Sequence, residues 1–216
     1  MRIPPIVLAA GLACLIFSCS KDKSYEPDPN KPLKDSTFQP VGAGSSWHYV
    51  DTLQGDFTLT STDRDTLMDG VSFHIFDSKP DTSSTVRPAY FGKQGISYYG
   101  RGIFTELSDI SLLYLKDTTV NSSWSQTIQV TVPVLGTLSA TVTSKLAEAN
   151  VTRTVQGKSY SHVSHVSFTV GIQSPIPVTY AQGDWYAARG VGLLEMHILS
   201  QGSAVGSLYL KDYSIK

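Results

Sequence analysis

Cysteine is nearly missing from this 216-residue chain: it has two, Cys14 and Cys19, both close to the N-terminus. Nothing after position 19 carries a thiol, which excludes a disulfide framework or a cysteine-ligated metal in the body of the protein. Long apolar runs are scarce too. The longest, Ile6 to Phe17, is about a dozen residues, short of the ~20 that a membrane-spanning helix needs. Charge is nearly balanced, with 17 Lys plus Arg against 18 Asp plus Glu, and the basic residues form no cluster. The basic face that nucleic-acid binding requires is therefore missing. There is no Gly-x-Ser-x-Gly, no His-Glu-x-x-His, no Cys-x-x-Cys and no Asp-rich calcium loop. The sequence accordingly assigns no catalytic, cofactor-binding or metal-binding residue and calls for no cofactor.

What is present begins at Cys19. Arg2 supplies a positive start, the apolar run follows, and Ile16-Phe17-Ser18-Cys19 closes it with a small residue directly before a cysteine. These residues resemble the N-terminus of Gram-negative bacterial lipoproteins, in which an aliphatic residue stands first, a small one third and cysteine fourth. The resemblance spans residues 1 to 40. It implies that residues 1–18 are a signal peptide and that Cys19 becomes the first mature residue, with a diacylglycerol on its sulfur and an acyl chain such as palmitate on its amine. The implied partner is a membrane, and the implied location is the cell envelope, at the outer membrane. Acyl chains contribute ~0.8 kcal/mol per buried methylene, so two or three hold a protein on a bilayer. Cys14, after Gly11-Leu12-Ala13, is an alternative that falls inside the discarded segment.

Residues 19–40 read as the lipidated cysteine and a disordered tether. Charges alternate with Pro27, Pro29 and Pro32, and too little apolar surface is present to offset the entropy of ordering. Lys21-Asp22-Lys23 could also serve as a sorting signal beside the lipid.

From Val41 the pattern turns to period two, the mark of half-buried strands. Phe57 and Leu59 alternate with Thr58 and Thr60; Ile128, Val130 and Val132 alternate with Thr127, Gln129 and Thr131; Leu138, Ala140 and Val142 alternate with Ser139, Thr141 and Thr143. Pro133 to Gly136 fits a hairpin loop between the last two. An all-β antiparallel domain over 41–216 follows. One short helix is expected where Ile103, Leu107, Ile110 and Tyr114 share a helical face, ahead of a strand near Leu113 to Lys116.

An internal repeat organises the domain. Ser45-Ser46-Trp47 recurs as Ser122-Ser123-Trp124, Gly70-Val71-Ser72-Phe73 as Gly157-Lys158-Ser159-Tyr160, and Leu113-Tyr114-Leu115-Lys116-Asp117 as Leu208-Tyr209-Leu210-Lys211-Asp212. Tyr90 to Ile96 aligns with Trp185 to Val191. Residues 41–119 and 120–216 are therefore expected to be two related β-meanders forming one curved sheet, sandwich or half-barrel. Trp185-Tyr186-Ala187-Ala188-Arg189-Gly190-Val191-Gly192-Leu193-Leu194-Glu195 also resembles a motif of uncharacterised bacterial secreted and lipid-anchored β proteins, which implies a fold and no activity. Gly190 and Gly192 suit a turn or bulge with positive φ; a phosphate loop would need a following helix and more glycines.

Five histidines are candidates for chemistry: His48, His74, His162, His165 and His197. His162 and His165 face opposite ways unless a bulge intervenes, which the shift of apolar phase from Val163 to Val166 suggests. His48 and His74 sit in strand patterns, as hydrogen-bonded structural residues. Asp63, Asp65 and Asp69 read as a polar hairpin end with an Asp-Gly turn. Asp51, Asp56, Glu106 and Asp109 are the carboxylates that a glycosidase could use. The pairs Tyr90-Phe91, Tyr98-Tyr99 and Trp185-Tyr186 place one ring on each sheet face, where the outer one either packs under a loop or contacts a ligand.

The leading expectation is a noncatalytic, lipid-anchored envelope protein that binds a glycan, a lipid or another envelope protein. A lipid or lipoprotein carrier-like half-barrel is the alternative, and a secreted hydrolase the third. A continuous apolar pocket of several hundred cubic ångströms would mark the carrier.

Overall fold

A computed structural model describes residues 36–103, 109–132, 136–172, 178–200 and 202–216. Cys14, Cys19, the signal peptide, the tether up to residue 35, Glu106, residues 104–108 of the expected helix and residues 133–135 of the expected hairpin loop lie outside the described residues. Alternating apolar and hydroxyl-bearing residues build an all-β body. Its strands are β1 (Ser46–Asp51), β2 (Phe57–Met68), β3 (Val71–Pro80), β4 (Arg87–Gln94), β5 (Ser97–Arg101), β6 (Leu112–Lys116), β7 (Ser123–Val132), β8 (Gly136–Val155), β9 (Lys158–Ile172), β10 (Val178–Ala188), β11 (Gly192–Ser200) and β12 (Ser203–Ser214). Among the described residues there is no helix. All twelve strands form one antiparallel sheet in the order β6-β5-β4-β3-β2-β1-β12-β11-β10-β9-β8-β7, curled into a nearly closed barrel.

That order is two six-strand meanders laid side by side, β1 to β6 and β7 to β12, and the recurring sequence motifs fall at like places in each. Trp47 and Trp124 lie in the first strands, Phe91 and Trp185 in the fourth, Leu115 and Leu210 in the last. The two-residue turns between second and third strands also correspond. Asp69-Gly70 has φ of 52° and 77°, and Gln156-Gly157 has 49° and 77°, both residues left-handed as a type I′ hairpin turn requires.

The meanders meet at two seams of different construction. At one, β1 pairs with β12 through a backbone ladder from Ser46↔Ser214 to Asp51↔Leu208, with one irregularity between His48 and Tyr49. At the other, no ladder joins β6 to β7 among the described residues, and side chains take its place. The Trp124 indole donates to the Leu113 carbonyl at 3.2 Å, the Leu113 amide donates to Gln126 Oε1 at 2.9 Å, and Gln126 Nε2 donates to the Ser111 carbonyl at 2.6 Å. One glutamine thus meets a donor and an acceptor of an edge strand, as a neighbouring strand would.

The interior is filled. Trp47, Phe76, Leu115, Leu146, Val166, Leu194 and Leu210 are almost wholly buried, and Trp185 stacks on Phe168 at 4.4 Å and meets Tyr114 edge-on at 6.5 Å. The boundary expected at residue 40 moves toward the N-terminus. Phe38 is 1% exposed and Gln39 6%, so the end of the expected tether belongs to the packed body. Phe38 meets Tyr98 edge-on at 5.6 Å and lies under the Arg189 guanidinium at 4.5 Å. The Gly190 amide donates to the Thr37 carbonyl at 2.7 Å. One aromatic ring here outweighs the polar composition around it.

Candidate functional site

On the outer face of the second meander, cross-strand register sets four residues in a row: Glu148 on β8, His165 on β9, Tyr186 on β10 and Glu195 on β11. Glu195 is 6% exposed, and a buried carboxylate needs partners. Arg153 supplies them from the tip of the β8–β9 hairpin, donating from Nε and Nη to the two carboxylate oxygens at 3.1 Å each. Its guanidinium lies 4.0 Å over the Tyr186 ring, and His165 stacks on Tyr186 at 4.4 Å. His197 also bonds Glu195, and its other ring nitrogen lies 3.0 Å from Ser207 Oγ. Burial pushes the Glu195 carboxyl up, but the hydrogen bonds from Arg153 and His197 outweigh it and hold the group below its ordinary value.

This cluster holds the bent hairpin onto the sheet. The pairing of β8 with β9 is irregular from Leu146 to Arg153, and Asn150 and His162 have φ of 58° and 54°. Beyond that bend the tip crosses to β11 and β12: Arg153 reaches Glu195, Lys158 Nζ donates to the Lys211 carbonyl at 2.8 Å, and the Tyr160 ring lies 6.2 Å from Tyr213. Charge-assisted bidentate bonding is strong and directional.

A second cluster sits at the ends of β1 to β3. His48 Nε2 lies 3.0 Å from Asp81 Oδ2, and Nδ1 lies 3.7 Å from Asp212 Oδ2. One donor atom each from His48, Asp56 and Asp81 falls within 4.8 Å of the others. These are the described side chains that could hold a metal ion.

The other expected residues go elsewhere. The pairing of β8 with β9 is irregular around both histidines and His162 has φ of 54°, while β9 pairs regularly with β10 from Val163 to Val166; His162 bonds Asn150 at 2.6 Å and His165 lies between Glu148 and Asp184, so the two form no site. His74 bonds Asp65 at 2.7 Å and lies 3.0 Å from Ser61 Oγ, a structural histidine as expected. Asp51 caps its own turn, accepting from the Leu53 and Gln54 amides at 2.7 and 3.1 Å. Asp109 is 96% exposed on its side chain. Of the outer rings, Tyr186 is packed under Arg153 and His165, and Tyr99 meets buried Phe73 edge-on at 6.5 Å. The turn at Gly190 to Gly192 has φ of 72° and 115° at its glycines, and its backbone receives the Trp47 indole at Val191 (2.6 Å) and the Tyr49 hydroxyl, from beside it, at Leu193 (2.9 Å).

Sequence reasoning missed Arg153 and the pairing of Glu195 with it. Glu195 ends the aromatic motif, and its lone charge beside Leu193 and Leu194 was the available signal.

Compared with family models and with curated proteins, the chain matches none. Solved structures do resemble it. A candidate lipoprotein from Parabacteroides distasonis superposes with a TM-score of 0.55 at 10% identity, over 83% of this chain and 99% of that one. A candidate exported protein from Bacteroides fragilis, described as having a YmcC-like fold, gives 0.49 at 7% identity over the same shares. The first of these shows a shared fold across most of the barrel.

Proposed function

We propose that this chain is a lipid-anchored protein of the bacterial cell envelope, held at the outer membrane through Cys19, whose barrel is a noncatalytic module that binds a partner on its outer surface. The filled interior carries the reading. Its described cavities measure about 20 and 10 Å³, room for about one water molecule, whereas ligand pockets take several hundred cubic ångströms. A lipid carrier would need the core to open. The outward residues support a body outside the bilayer: Ser125 and Thr127 on β7 and Thr141, Thr143 and Lys145 on β8 alternate with buried or half-buried neighbours, unlike the apolar band of a membrane-spanning barrel. The fold shared with a candidate lipoprotein accords with an envelope location. The partner is a glycan or an envelope protein, for which exposed Tyr180 offers a stacking surface. Under the same reading the matching meanders descend from one duplicated unit.

Cys19→Ser should abolish acyl labelling and release the protein from the detergent phase; unchanged labelling would refute the anchor. A fluorescent fatty-acid probe should show no saturable uptake. Uptake of one probe per chain would instead establish the carrier.

A further inference from the structure

We propose that His48, Asp56 and Asp81 form a binding site for one divalent transition-metal ion, Zn²⁺ being the best fit, with the Asp212 carboxylate adding negative charge beside it. The backbone builds the site. Pairing of β1 with β2 sets His48 opposite Thr58, which places Asp56 just beyond the end of that ladder. Pairing of β2 with β3 sets Phe57 opposite Pro80, so Asp81 emerges beside Asp56, and the Asp81 amide donates to the Asp56 carbonyl at 2.9 Å. Two carboxylates and an imidazole thus converge from three adjacent strands by register.

The distances suit coordination. Ligand atoms each ~2.1 Å from a metal lie roughly 3.0 to 3.4 Å apart. His48 Nε2 and Asp81 Oδ2 are already 3.0 Å apart, and the third donor, on Asp56, lies within 4.8 Å of both. On the far side of the ring, Asp212 Oδ2 lies 3.7 Å from Nδ1, beyond hydrogen-bond distance but near enough to add negative charge beside the site. Three carboxylates lie around one imidazole: Asp81 and Asp212 face its two nitrogens, and Asp56 offers an oxygen within 4.8 Å. Such a concentration of negative charge favours a bound cation. One nitrogen and two oxygen donors suit Zn²⁺ or Mn²⁺ better than Ca²⁺, which takes six to eight oxygens. Asp81 is exposed, so an ion can enter from solvent and water can complete its shell.

Calorimetric titration of Zn²⁺ into the chelator-stripped full chain in detergent tests the site. One ion per chain should bind. His48→Ala and Asp81→Asn should each weaken binding at least tenfold, and Asp212→Asn less than tenfold through the lost charge, while His165→Ala, on the outer-face cluster, should bind as the parent does. Asp81 is a surface residue, so Asp81→Asn carries the test if His48→Ala does not fold. Absence of saturable Zn²⁺ binding, or an Asp81→Asn variant that binds like the parent, would overturn the proposal.

Discussion

The two seams of the barrel solve one problem in two ways. Where β1 meets β12 a backbone ladder joins the meanders, and where β6 meets β7 the indole of Trp124 and the amide of Gln126 do so. Each seam also has a tryptophan from one meander donating to a carbonyl of the other: Trp47 to Val191, Trp124 to Leu113. Ladder bonds form cooperatively along a strand, whereas side-chain bonds can be removed singly. The second seam is therefore the weaker place in the sheet, and a change there should act locally.

The largest effect should come from the laddered seam. Trp47 is fully buried, with its ring tilted against Phe76 at 5.7 Å, so Trp47→Ala should cost about 4 kcal/mol in denaturant unfolding, and Trp124→Ala less. Gly192 comes next: its φ is 115°, and a Cβ there would lie 3.0 Å from Gln39 Oε1. Gly192→Val should cost about 2 kcal/mol and lower the melting temperature. A variant that melts like the parent would refute the role assigned to this turn.

Arg153→Leu should cost about 1–2 kcal/mol, less than a fully buried pair would because Arg153 is partly exposed. It also changes the response to acid. Glu195 is held below its ordinary value of 4.5, so its partners stabilise the fold fully above that value and are lost as pH falls below it toward the folded-state pKa. The parent should lose stability on acidification below about pH 4.5 more steeply than Arg153→Leu, as chemical unfolding at pH 3 to 6 would show. Equal slopes would mean that the clamp contributes nothing.

The strands were legible because period two survives in each segment that packs on one face, and the Asp69-Gly70 turn because two left-handed residues suit few other pairs. The β7–β8 ladder joins the expected strands, from Ser123↔Lys145 to Val132↔Gly136. Composition places Phe38 in the tether because it averages over its neighbours, while packing depends on the single ring. Arg153 is not legible in the sequence because it crosses from the β8–β9 tip to β11, a contact made by a bend at Asn150 and His162 that periodicity does not encode. His48, Asp56 and Asp81 looked unrelated because only the register of β1, β2 and β3 brings them together.

Hydrogen exchange at the two seams tests the account most directly. In Gln126→Ala, which should cost only about 1 kcal/mol, the Leu113 amide loses its acceptor and should exchange about tenfold faster, while the Tyr49 and Leu210 amides at the β1–β12 seam keep their protection. Equal acceleration at both seams, or none at Leu113, would contradict a barrel closed by strand pairing on one side and by side chains on the other.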